Sequence, residues 1–454
     1  MQCFLRAQGY IAGALILGFS CAMPLASQNV SPPETAAKQP PKYAHSTVIR
    51  HPAMSAEDLA ASGNSGVVLP GIDVLAETKF AILRGRRAAL ISNHTGVNRT
   101  GERTADVLFA ASRQRGFQLR KLFAPEHGFG GTLDEKFTSM RDEKTGLPVL
   151  SLYGQNYAPK PEDLADIDDL IFDIQDIGTR FYTYQATMAL AMRVAASRGK
   201  RFIVLDRPNP IGGALVQGAI PAPEQCGGLT SIYPIPTRHG MTIAELALLY
   251  NEHFGIGCQL AVVAMQGWRR AMLHDETGLV WTHPSPNMRS VEGAVLYPGL
   301  GTAETTSLSV GRNVTAVEGT KRKAYPFELY GAAFVDQSRL ARELNSALPA
   351  SKSGISFTPV RFTAGGKQYR GVQAGLRDRK QNNPILAGLH LIKTMLRLYP
   401  RDFRLFSGFS KEVGDPKIEA RLRAGESPEA IIASWQPALD RFMRLRENYL
   451  LYAE

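Results

Sequence analysis

The sequence predicts an α/β protein: a mostly parallel sheet covered by helices on both faces, followed by a smaller region that mixes short strands with helices. Three observations carry this. Between residues 66 and 290, short near-continuous apolar runs alternate with amphipathic segments, the pattern of strands buried beneath helices on either side. Beyond about residue 290 the chain turns glycine- and hydroxyl-rich, as in "YPGLGTAETTSLSVGR". The 454 residues, 44% of them hydrophobic, are enough for a large core shared between two domains.

The elements follow in order. Residues 1–27 hold one early arginine, the apolar "IAGALILGF" and small residues at Ala26 and Ser27, which reads as a signal peptide for a periplasmic or secreted protein. The apolar run is short for a membrane span, with a retained anchor as the alternative. A lipidated Cys21 fits less well, because bulky Phe19 stands where a small residue is usual. Residues 28–65 are polar, proline-rich and aperiodic, the marks of a linker. "RRAALISN" (86–93) predicts a strand and "ERTADVLFAASRQR" a helix. Further strands are predicted at "QLRKLFAPEHG", "DLIFDIQD" (169–176), "KRFIVLDRPNP" (200–210) and "QLAVVAMQGW". "RFYTYQATMALAMRVAASRG" has helical periodicity ending at Gly199, and "MTIAELALLYNEHFG" opens with Thr242 three residues before Glu245, a capping-box spacing. The domain 66–290 gives way to a C-terminal domain, 291–454, whose last helix starts at Ser427 with Pro428 in its first turn and Pro437 as a point of interruption.

In an open parallel sheet, ligands bind outside the carboxyl ends of the strands. Four predicted strands each end in a polar cluster: Ser92, Asn93, His94 and Thr95; Glu126 and His127; Asp173, Gln175, Asp176, Thr179 and Arg180; Asp206, Arg207 and Asn209. Four such ends in succession predict one cleft. Each residue also has a structural reading: Asp206 as a turn organiser, Asp173 as a buried acid paired with Arg180, His94 as a hydrogen-bonded scaffold residue. Glu126 resists one. It follows Pro125 and precedes Gly128 at the end of an apolar strand, neither helix surface nor cap, and partial burial there favours the protonated form that a general acid needs.

Downstream, "TRHG" presents Arg238 and His239, "HPSPNM" presents Asn287, and "ETTSLSVGR" presents Glu304 and Arg312. A planar guanidinium at Arg180, Arg238 or Arg312 suits a carboxylate. The net charge of +11, nearly all outside residues 1–65, favours anionic partners. No arginine-rich run with interleaved aromatics argues for nucleic acid. No G-x-G-x-x-G after a strand, P-loop or G-x-S-x-G elbow is present, so no nucleotide or other cofactor is expected. A metal site from His94, His127, Asp176 and His239 lacks compact ligand spacing, and none is predicted. Cys226 and Cys258, which remain after signal removal, are either paired or free.

"ISNHTG", "LFAPEHGFGG", "TGLPVLSLYG", "LIFDIQDIGTRFYTY", "LDRPNPIGG", "PIPTRHGMTIAELA", "PSPNM" and "YPGLG", in this order, resemble the exo-β-N-acetylmuramidase (NamZ-like) family from about residue 70 to the C-terminus. The resemblance implies a Rossmann-like N-terminal domain, a smaller α+β C-terminal domain completing the cleft, and release of terminal N-acetylmuramic acid from the non-reducing end of peptidoglycan fragments. It implies Glu126 as the catalytic glutamate, with His127, Asp176 and Arg180 lining the sugar site; Tyr182 is a further binding candidate, and for the second catalytic role the candidates are Asp173, Asp176 and Glu304, or the substrate's own acetamido group positioned by an Asp. The chain departs at Gln217, where the family usually has an acid, and in "AETTSLSVGRNVT". A non-catalytic peptidoglycan-binding protein and a metal-dependent hydrolase of another bond are the alternatives. No stable membrane insertion is expected after signal removal.

Overall fold

The computed structural model describes residues 44–50, 67–126, 128–129, 139–154 and 156–454; the predicted signal peptide lies outside them, as does His127. Twelve strands are found among the described residues: β1 (Ser46–Ile49), β2 (Arg87–Ser92), β3 (Gln118–Ala124), β4 (Ser139–Arg141), β5 (Pro148–Ser151), β6 (Asp169–Asp173), β7 (Arg201–Leu205), β8 (Gln259–Val263), β9 (Val314–Glu318), β10 (Leu329–Ala332), β11 (Ile355–Ala364) and β12 (Lys367–Leu376). The first eight form one sheet in the order β1-β8-β7-β6-β2-β3-β5-β4, parallel except for the β4–β5 pair. The last four form an antiparallel sheet in the order β10-β12-β11-β9. The expected α/β architecture is therefore present, with a smaller antiparallel sheet after the large parallel one.

The large sheet works because its central strands are apolar on both sides. All five residues of β6 are buried. Helices Gly71–Glu77 and Thr104–Arg115 cover one face with Ile72, Leu75 and Leu108, while Tyr184–Ser197 and Ile243–Glu252 cover the other with Met188, Met192 and Leu246. The Thr242–Glu245 capping box forms as its spacing predicts.

Strand order reverses between β2 and β6: the chain runs outward through β3 and β5 on one side, and through β7 and β8 on the other. That is the switch point where a crevice opens in such sheets.

Three expectations need correction. Ser46–Ile49, inside the stretch read as linker, forms the edge strand β1 against β8; half-exposed and flanked by prolines, it carries no apolar signature. Helix Pro428–Arg446 runs unbroken through Pro437, because Pro437 and Ala433 are both exposed and water can satisfy the carbonyl that the proline leaves unpaired. The C-terminal tail does not stay with the small sheet. Phe442 and Leu451 join the core of the large one, and Tyr452 bonds Asp206 through its hydroxyl at 2.5 Å. Cys226 and Cys258 are both free thiols; burial pushes Cys258 up to about 12.

Candidate active site

At the end of β3, Pro125 stops the strand and its carbonyl accepts a bond from Gly128 N–H at 3.1 Å. Gly128 closes this turn at φ +72°, the left-handed region where glycine carries no Cβ penalty. The turn lifts Glu126 off the sheet edge, half-buried. Its Oε2 accepts a hydrogen bond from Thr183 Oγ1 at 3.0 Å. Thr183 occupies the N-cap position of helix Tyr184–Ser197, yet its side chain caps nothing in that helix. A cap is typically worth ~1 kcal/mol; here the hydroxyl is turned to the acid instead.

Around Glu126 stands a wall of tyrosines. Tyr182 meets Tyr184 edge-on at 5.2 Å and Tyr297 edge-on at 6.2 Å. The Tyr184 hydroxyl donates to the Pro284 carbonyl and accepts from Asn93 Nδ2. The Tyr182 hydroxyl faces Ser285 without meeting the geometry of a hydrogen bond. Burial raises both phenols, and the charge of Glu126 adds to the rise. Tyr297 feels Glu126 as well, and its hydroxyl donates to Glu304 Oε2 at 3.0 Å. Glu304 Oε1 in turn pairs with Arg312. His94 bonds the His283 carbonyl through Nε2 at 2.7 Å. Asn287 keeps a buried Oδ1 without a partner. The loop 283–287 is thus fastened to His94, just after β2, and to Tyr184, at the start of helix Tyr184–Ser197.

The other predicted residues fall elsewhere. Asp173 is buried and bonded to Arg207, not Arg180, and it also accepts from Thr104. Arg180 and Arg238, read as carboxylate clamps, are 0% and 1% exposed, against 58% for the Arg312 side chain. Arg180 donates to the carbonyls of Thr230 and Glu412. Arg238 donates to the Ile211 carbonyl, to Asn382 Oδ1 and to Gln217 Oε1. Burial lowers them to about 10 and about 9. Both hold loops together from within. Gln217 also donates to the Asn382 carbonyl at 2.8 Å, a two-way role closed to a carboxylate.

Asn209 and His239 bond the backbone around Met241, and burial holds His239 neutral, down to about 3. Gln175 bonds the carbonyls of Asp176 and Pro208. Asp206 accepts from Arg207 N, Thr242 Oγ1, Ala244 N and Tyr452, a scaffold role.

Asp176 is distinct. It is buried, accepts from Gly178 N–H at 2.9 Å and leaves Oδ1 without a partner. Burial pushes it up to about 7 against the bonds from the Gly178 and Ile177 backbone. Among the described residues, no three His, Cys, Asp or Glu side chains converge as a metal site.

Two acids, Glu126 and Glu304, thus stand about one tyrosine, Tyr297, with the Arg312 guanidinium on Glu304. Thr183 and Tyr297 were not singled out in the sequence; the threonine just before a helical run was the available signal.

Two sequence profiles match the chain: exo-β-N-acetylmuramidase NamZ, N-terminal, over residues 88–292, and its C-terminal counterpart over 295–452. A Bacillus subtilis (strain 168) protein named peptidoglycan β-N-acetylmuramidase NamZ is 43% identical over 391 residues, 85% of this chain and 91% of that relative. Two solved structures of DUF1343 family proteins from Bacteroides fragilis NCTC 9343 are similar in fold. One has a TM-score of 0.76 at 35% identity and the other 0.65 at 29%; each comparison spans 85% of this chain and 99% of theirs.

Proposed function

The chain belongs to the exo-β-N-acetylmuramidase NamZ family, and on that premise we propose that it is a glycoside hydrolase releasing N-acetylmuramic acid from the non-reducing end of peptidoglycan fragments. Glu126 is the general acid in this reading. Cleaving a glycosidic bond needs a proton for the leaving oxygen and a group to meet the oxocarbenium-like carbon. The observation that carries the assignment is the turn that lifts Glu126, half-buried and bonded to Thr183, onto the same tyrosine wall that holds Glu304.

Glu304 takes the second role. Asp173 has its oxygens committed to Arg207 and Thr104, and Asp176 is held toward its neutral form. Glu304 lies at the edge of solvent beside a guanidinium. Arg312, exposed where Arg180 and Arg238 are sealed, is the group suited to the lactyl carboxylate that distinguishes muramic acid from glucosamine. Asp176 acts as a positioning residue for the 176–183 loop. Export fits both a substrate in the cell wall and the N-terminal sequence.

The test is Glu126→Gln on a chromogenic β-N-acetylmuraminide. General-acid catalysis contributes ~10²–10⁴-fold, so kcat falls by at least ~100-fold; a fall below tenfold rejects the assignment. Product analysis on defined disaccharides from murein checks the bond and the end attacked.

A further inference from the structure

The hairpin of β11 and β12 changes character along its length. Alternate residues of a strand share a face. On one face Phe357 pairs with Ala374, Pro359 with Val372, Arg361 with Arg370 and Thr363 with Gln368. Phe357, Val372 and Ala374 are buried in one cluster with Leu340, Ala341 and Leu344 of helix Gln337–Ala347. Farther along the same face is bare. There Arg361, Gln368 and Arg370 are exposed and, with Glu318, Thr363 and Ala333, they line a concavity of about 490 Å³.

Its charge is not balanced from within. Arg361 and Arg370 stand directly opposite each other, a placement that destabilises a sheet when the charges are alike. Arg370 spends one nitrogen on the Ala333 carbonyl at 2.7 Å. The Arg361 side chain makes no hydrogen bond or ion pair among the described residues, although Glu318 is its neighbour on β9. Two guanidinium forks side by side match carboxylates. The wall of the concavity includes Ala316 of β9, a strand that begins two residues after Arg312.

We propose that this bare face docks uncut peptidoglycan, with Arg361 and Arg370 holding stem-peptide carboxylates of a strand whose terminal sugar lies in the Glu126 cleft. The inference rests on the peptidoglycan reading above. A second contact on the same polymer raises effective affinity without new contacts at the scissile bond, so the face acts on long substrates and not on small ones.

The experiment compares the full chain with Arg361→Gln/Arg370→Gln. It measures co-sedimentation with purified sacculi stripped of attached anionic polymers, at 50 and 300 mM NaCl, and turnover of the chromogenic muraminide. Expected are at least fivefold weaker sacculus binding, a flatter salt dependence and chromogenic kcat/KM within twofold of the parent. Unchanged binding overturns the proposal. So does parent binding to neutral chitin as tight as to sacculi, or chromogenic activity falling in step with binding. Because the Arg361 side chain has no partner to lose among the described residues, Arg361→Gln alone carries the test if the double variant misfolds, with a twofold loss expected and none refuting it. If the parent binds sacculi but releases no muramic acid, the catalytic reading fails while the docking comparison still stands to be judged.

Discussion

Asp176→Asn isolates what a buried acid does at the rim of this sheet. A carboxyl held at about 7 in the fold against 3.8 when exposed stays protonated in the native state while the unfolded chain has already ionised. Between those values the folded state binds more protons, so stability is fully present below about pH 4 and falls as pH rises toward 7. At ~1.4 kcal/mol per pH unit, the step from pH 5 to pH 7 is worth at most ~3 kcal/mol. Asparagine copies the neutral carboxyl in shape and keeps an oxygen for Gly178 N–H. Any cost of its amide hydrogens is the same at both pH values and cancels. Asp206, also raised to about 7 by burial, is present in both proteins and cancels too. Urea unfolding at pH 5 and pH 7.5 should therefore show the variant gaining on the parent by up to ~3 kcal/mol at the higher pH. A difference that does not change with pH refutes the reasoning. Turnover at pH 6 should stay within threefold of the parent; a hundredfold loss would mean that Asp176 acts at the reacting atoms, by its proton or its charge, and does not merely position the loop.

Four further outcomes follow from the same geometry. Arg312→Ala should raise KM for muraminides by ~10-fold or more, the worth of a charge-assisted bond, and leave glucosaminides nearly unchanged. Arg238→Met should instead lower the unfolding midpoint, by stranding buried oxygens at ~1–3 kcal/mol each. Thr183→Val removes the donor to Glu126 in an isosteric side chain; kcat should drop about tenfold while thermal stability stays within ~0.5 kcal/mol, since that hydroxyl caps no helix. Gly178→Ala should destabilise by ~2 kcal/mol or more in a thermal melt, because Gly178 sits at φ +79° and a Cβ would come 2.3 Å from Asn209 Oδ1.

The large sheet was legible because its strands are buried on both faces, so hydrophobicity runs unbroken through "ALIS", "DLIFD" and "FIVL" and stops where the backbone must turn. Nothing local announced β1. Its residues are neither fully apolar nor alternating, and its place is fixed by pairing with β8, more than two hundred residues away. The return of Tyr452 to Asp206 is equally invisible, since one phenol and one acid 246 positions apart share no pattern. Burial separated what composition could not. Arg180, Arg238 and Arg312 look alike in a sequence, all in polar loops near glycines, but two are sealed and one is open.

That separation bears on how the site is built. Loops at the carboxyl edge of a sheet must be held in place without a regular element around them. Here the two sealed arginines hold them by donating to backbone carbonyls of Thr230, Glu412 and Ile211; five fixed donors on a plane can bind several loops at once, which a lysine cannot. Their burial lowers the basicity of both, a cost tolerated because each donates to several oxygens. The polar clusters that mark the strand ends therefore divide into two kinds, groups that brace the loops and groups that the braced loops present. Glu126 and His94, at the ends of β3 and β2, keep solvent on one side, as do Glu304 and Arg312 farther along the chain.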